Sequence, residues 1–164
     1  MRTESLRQGN RRRSLRRSIV LCFFTLTGCS APDDVLFENA RVRALITGQD
    51  KTVAYMDITN QTSRTMTLVG ASSESVRTIE IHTTRMDDGV MRMRRLKSVA
   101  IPPGETIRFE PGGRHLMLFG VTSLGEALPV RLEIEYGSDS NADLGVITRE
   151  TRKVSFRRIE IGAQ

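Results

Sequence analysis

From Val35 onward the chain alternates apolar and polar residues in short runs. The period of two is clearest in Thr78-Ile79-Glu80-Ile81-His82 and in Val130-Arg131-Leu132-Glu133-Ile134-Glu135-Tyr136. Successive side chains of a strand point to opposite faces, so each such run has one apolar and one polar face. The pattern predicts strands over 35–45, 52–59, 65–70, 78–83, 90–96, 106–110, 115–120, 130–136, 146–150 and 154–161. Turn-forming residues separate them: Asn60-Gln61-Thr62, Asp87-Asp88-Gly89, Pro102-Pro103-Gly104, Pro111-Gly112-Gly113 and Gly137-Ser138-Asp139. No stretch holds a helical period, and residues 123–127 are read as a single helical turn at most. Many short strands at this spacing make an all-β domain, a Greek-key β-sandwich or barrel.

The first 30 residues break the pattern. Seven arginines, opposed only by Glu4, precede the apolar run Ile19-Val20-Leu21-Cys22-Phe23-Phe24. That run is far shorter than the roughly 20 apolar residues a spanning helix needs. A basic start followed by a short apolar stretch is a secretory signal. It ends in Leu26-Thr27-Gly28-Cys29, which resembles the bacterial lipobox, where cleavage precedes a lipidated cysteine. The expected organisation is a lipoprotein signal peptide over 1–28, a lipidated Cys29 with a short tether over 29–34, and a β domain over 35–164. The domain is expected on the periplasmic side of a membrane, with Ser30 favouring the outer one where a cell has it.

This division changes the electrostatic picture. The chain carries 25 basic and 19 acidic residues, of which 7 and 1 fall before Cys29, so 18 of each remain. The high pI belongs to the signal, and the domain has no basic excess of the kind that marks a nucleic-acid binder. With Cys22 removed and Cys29 acylated, no thiol is left for a disulfide, a zinc cluster or a catalytic nucleophile.

Histidine and methionine carry the remaining chemistry. The only histidines are His82 and His115, and four of seven methionines lie between 86 and 117. His82, Met93, His115 and Met117 are spaced H-x10-M-x21-H-x-M. This spacing is similar to the signature of the periplasmic copper chaperone family PCuAC, also called DUF461. The flanks Phe37–Arg43, Leu68–Ser73, Glu80–Thr83, Gly89–Arg94 and Pro111–Leu118 resemble that family's blocks, so the likeness covers nearly all of the domain. It implies a cupredoxin-like fold and one Cu(I) ion per monomer, held by His82, Met93, His115 and Met117. It also implies delivery to the dinuclear copper centre of cytochrome oxidase, often with a Sco-like partner. Members often carry methionine where Thr84 and Phe119 stand, and some have a His- and Met-rich tail that this chain lacks.

The residues support a soft-metal site on their own terms. Thioether sulfur is soft and neutral, and it selects Cu(I) over hard cations. The period of two puts His115 and Met117 on one face of their strand, with Leu116 and Leu118 on the other. It likewise sets His82 opposite Ile79 and Ile81. Met91 shares a face with Met93 and is an alternative donor, although a methionine pair in a strand is often core filler. Met86 is placed in a loop beside the site, and Met86 and Met91 are candidates for its second shell. Met56 and Met66 are read as packing. Arg85, Arg92, Arg94, Arg95 and Arg114 form either a solvated face or a docking patch for an acidic partner.

The expected protein is therefore a monomeric binding and transfer protein and not an enzyme. Copper scavenging or resistance without an oxidase acceptor is the alternative reading. A blue-copper electron carrier needs a cysteine ligand that the domain lacks. No G-x-S-x-G elbow or H-E-x-x-H helix suggests a hydrolase.

Overall fold

A computed structural model of the protein describes residues 34–137 and 147–160. The chain divides at Ser30/Ala31, and everything described lies in the second unit. The proposed signal peptide and Cys29 fall outside the described residues.

Among the described residues, ten strands form one sheet: β1 (Val35–Arg43), β2 (Lys51–Asn60), β3 (Met66–Ser72), β4 (Val76–Asp87), β5 (Val90–Leu96), β6 (Val99–Ile101), β7 (Thr106–Phe109), β8 (Arg114–Val121), β9 (Ala127–Tyr136) and β10 (Thr148–Ile159). Their order is β5-β4-β8-β7-β2-β1-β10-β9-β3-β6, and β8 also pairs with β2. Most pairings are antiparallel, while β1–β10 and a single β7–β8 pair are parallel. One apolar cluster takes residues from strands at both ends of this order, including Ile81 of β4, Leu116 and Leu118 of β8, Leu68 of β3 and Ile101 of β6. The sheet therefore curls around a single core, as a closed β architecture must if its end strands are to bury one face.

The period of two is the reason these residues sit where they do. Ala54, Met56 and Ile58 of β2 point inward, as do Leu128, Val130, Leu132, Ile134 and Tyr136 of β9. Met56 and Met66 are wholly buried packing residues. β5 gives no fully buried side chain, so the outer part of the β4–β5 hairpin extends past the core. Its turn is Asp88-Gly89, both with positive φ (50° and 75°), between the paired Asp87 and Val90. Two left-handed residues are what a two-residue type I′ turn requires, and Asp-Gly supplies them at low cost.

Four expectations are corrected. Residues 148–159 form one strand instead of two, because Thr151-Arg152-Lys153 stays paired with Glu133, Leu132 and Arg131 of β9. The three-residue β6 was not anticipated, since Pro102-Pro103 follows it at once and leaves no run to read. Residues 123–127 hold no helical turn: Ala127 begins β9, and the amide of Arg158 donates to the Glu126 carbonyl at 2.7 Å. Met86 lies in β4 and not in a loop, because the hairpin turn is only two residues long.

Candidate metal centre

The site is built by cross-strand register. His82 of β4 pairs directly with His115 of β8, and their ring centroids are 5.9 Å apart. Glu80 pairs with Met117 on the same two strands. Across the other edge of β4, Arg95 faces His82, Met93 faces Thr84 and Met91 faces Met86. Directly opposed residues share a face, so all four expected ligands lie on one surface of the sheet. The reverse surface of β4 and β8 carries Ile81, Leu116 and Leu118, all buried in the core. Met117 is two residues from His115 along β8. Met93 is the diagonal neighbour of His82, at the roughly 7–8 Å separation that long side chains can bridge.

The two histidines differ in burial. His115 is 4% exposed although it is on the outer face, and His82 is partly buried. Met117 is partly buried and borders a cleft with Ile46, Lys51 and Val53. Met93 is 54% exposed. Phe119 closes the end of the face away from the hairpin, its ring 6.4 Å from that of His82 and 5.9 Å from the Lys51 Nζ.

Each imidazole is held by one nitrogen and leaves the other free. His82 Nε2 lies 2.8 Å from Glu80 Oε2, and the other Glu80 oxygen lies 3.1 Å from Arg95 Nη1. His115 Nδ1 lies 3.2 Å from the Gly113 carbonyl. A carboxylate and a carbonyl can only accept, so in the neutral rings these nitrogens carry the protons. The lone pairs then sit on His82 Nδ1 and His115 Nε2. Both atoms are buried and have no hydrogen-bond partner among the described residues. Buried polar atoms are usually satisfied, and ligating histidines commonly have their second nitrogen anchored in this way. Burial pushes the His115 pKa below the ordinary histidine range. The Gly113 carbonyl opposes that shift, and the neighbouring His82 adds to it. The ring is thus kept neutral and able to donate its lone pair.

The arrangement suits a soft ion. Among the described residues, no group of three or more His, Cys, Asp or Glu side chains is placed to hold a metal. An ion bound between the histidines would need the thioethers to complete its shell. His82 and His115 are cross-strand neighbours, Met117 follows His115 on the same face, and Met93 is diagonal to His82 across the β4–β5 pair. Met91 and Met86 are each 65% exposed on the same face, so neither is core filler.

Sequence reasoning missed Glu80, Arg95 and the Gly113 carbonyl as supports. The period of two puts Glu80 on the face of His82 without showing that it holds the ring, and Arg95 becomes visible only with the β4–β5 register. The arginines do not all share one face. Arg95 pairs with Glu80 on the histidine face and, with Met86, also borders a groove of about 520 Å³ at the hairpin that Arg85, Arg92 and Arg94 line, where Asp87 pairs with Arg92 at 3.4 Å.

Comparison with known proteins gives three results. The LpqE-like family, named for a lipoprotein, matches residues 35–146. The protein Lxx21020 of Leifsonia xyli subsp. xyli (strain CTCB07), which also carries a lipoprotein name, is 33% identical over 131 residues, covering 70% of this chain and 78% of that one. Among solved structures, the apo PmoF2 PCuAC domain superposes with a TM-score of 0.60 at 19% identity, covering 81% of this chain and 94% of its own. The copper-bound PCuAC domain from PmoF2 gives 0.55 at 20%, covering 79% and 96%. Cu(I)-DR1885 from Deinococcus radiodurans gives 0.53 at 24%, covering 80% and 82%. At these identities the structural likeness is one of fold: the domain has the cupredoxin-like β-sandwich of PCuAC domains.

Proposed function

The chain belongs to the LpqE-like lipoprotein family, and from that premise we propose that it is an exported, lipid-anchored Cu(I) carrier. His82 through Nδ1, His115 through Nε2, Met117 and Met93 hold one ion per monomer. The observation that carries this reading is the pair of buried, unpartnered imidazole nitrogens on the face that also presents Met117 and Met93. All four donors are neutral and soft or borderline, which suits a monovalent copper ion and disfavours hard cations. The absence of a cysteine donor means that the ligand set cannot be lost to disulfide formation outside the cytoplasm. The copper-bound PCuAC domain from PmoF2 and Cu(I)-DR1885, which share this fold, lend further support.

Release follows from exposure. Met93 is more than half exposed, and an incoming thiolate meets it first. His115, the most buried donor, lets go last. A thiolate is a stronger donor than a thioether, so an acceptor rich in cysteine draws the ion downhill. The dinuclear copper centre of cytochrome oxidase, reached directly or through a Sco-like protein, is the proposed acceptor.

The test is competition against a Cu(I) chelator with the full chain in detergent. One tight equivalent is expected. His115→Ala and Met117→Leu should each weaken it at least tenfold, and Met66→Leu, a core change, should not. No tight equivalent, two equal ones, or the same loss from all three substitutions would overturn the reading.

A further inference from the structure

We propose that Met86 and Met91, at the tip of the β4–β5 hairpin, form a second and weaker site for a soft monovalent ion, through which Cu(I) passes to and from the histidine pair. As a way station the pair depends on the copper reading above; as a binding site it does not.

The methionines of this domain fall into distinct groups. Met56 and Met66 are wholly buried in the core. Met86, Met91 and Met93 are 65%, 65% and 54% exposed. These three share one face, in register with the site. Moving inward from the turn, the paired positions are Met86 with Met91, then Thr84 with Met93, then His82 with Arg95 on one side and His115 on the other. Same-face positions along a strand are about 6–7 Å apart, so the methionine positions form a row of short steps toward the histidines. Met93 stands between the two sites and serves both.

A docking patch would be the ordinary explanation for exposed apolar side chains. The composition of this face argues against it. From the turn as far as the histidine row, the apolar side chains that β4 and β5 present here are all methionine. The hairpin's exposed valine, Val90, pairs with Asp87 and therefore faces the other way. Apolarity alone would be served equally well by leucine or valine, and what these three positions share is sulfur. Charge narrows the ion further. Arg85, Arg92 and Arg94 point to the reverse side of the hairpin, offset in part by Asp87, and border one groove with Met86 and with Arg95 of the methionine face. Their field disfavours a multiply charged cation more than a monovalent one, and thioethers favour soft ions over hard ones.

The test uses Ag(I), a redox-inert soft monovalent ion, and the full chain in detergent with methyl-labelled methionine. In a His82→Ala/His115→Ala variant, the Met86 and Met91 methyl signals should move together and saturate, while the Met66 signal stays in place. Adding Met86→Leu/Met91→Leu should weaken this remaining binding at least tenfold. If the alanine pair fails to fold, His82→Gln/His115→Gln replaces it. Methyl signals of Met86 and Met91 that ignore Ag(I) would overturn the proposal. So would an isotherm unchanged by the leucine substitutions. A wild-type protein with no tight equivalent, but with moving Met86 and Met91 signals, would support the tip site while removing the histidine one.

Discussion

His115 combines two demands in one side chain. Its position among buried groups depresses its pKa, chiefly through burial, and a neutral ring is what a metal needs. The same shift ties stability to pH. Unfolded, the ring titrates near its reference value of about 6.5; folded, it titrates lower. Between those values the unfolded chain binds more protons, so stability rises with pH through the window and falls on acidification. The metal-free protein should therefore melt at a lower temperature at pH 5 than at pH 7.5, and His115→Gln should reduce the difference. Metal affinity should also fall in acid, with the His115 share displaced below the reference range. Chelator competition between pH 7.5 and 4 checks this, and a flat affinity would remove the histidines as ligands. At this scale the sequence was informative where a period of two sufficed: it put His115 and Met117 on one face and Leu116 and Leu118 on the other. It was silent on Glu80–Arg95 and on the Gly113 carbonyl, because those contacts depend on how strands and turns meet.

The β4–β5 hairpin carries Met93 into the site, and its turn governs that placement. Gly89 has a φ of +75°, and a Cβ there would meet nothing within 4 Å. Any cost of substitution is therefore one of backbone conformation, about 1–2 kcal/mol for a side chain forced into the left-handed region. Gly89→Val should lower the melting temperature and weaken Cu(I) binding by displacing Met93, whereas Gly89→Asn should largely preserve both. Gly120, with a φ of +65°, differs because its Cβ would lie 2.8 Å from the Arg77 Cβ. Gly120→Ala should accordingly destabilise more than Gly89→Ala, as paired thermal melts would register. Residues 90–96 were bounded correctly from sequence because Asp88-Gly89 fixes one end of the strand. Strand β10 was divided in two because three polar residues resemble a break until their pairing with β9 is known. Asn60 shows the same limit. Its run reads as a turn, yet the side chain is wholly buried, donating to the Arg64 and Ile101 carbonyls and accepting from Thr62.

For the whole molecule, the all-β class and its apolar faces follow from alternation, since burial needs only the period. Strand order does not follow. The parallel β1–β10 pair joins the first and last strands, and no local run encodes so distant a partner. Placement in the cell rests on Cys29 and the segment before it. If the anchor is real, Cys29→Ser should shift the protein from the membrane fraction to the soluble one, and a wild type already soluble would exclude it. Purpose is tested at the same scale. A deletion strain grown at limiting copper should lose cytochrome oxidase activity and regain it on copper addition, and the His82→Ala/His115→Ala variant should not complement. Normal oxidase activity with heightened copper sensitivity would favour scavenging instead.

Strand β8 sets its proposed ligands and its core residues back to back, one residue apart. Inheritance can therefore act on the two separately. Changes at His115 and Met117 touch the outer face and spare Leu116 and Leu118, so a descendant could lose the metal chemistry and keep the barrel. On the proposed ligand set, a member that keeps His82, Met93, His115 and Met117 should bind Cu(I) and one that has lost them should not, so a genome can be sorted by reading those four letters within an otherwise ordinary match.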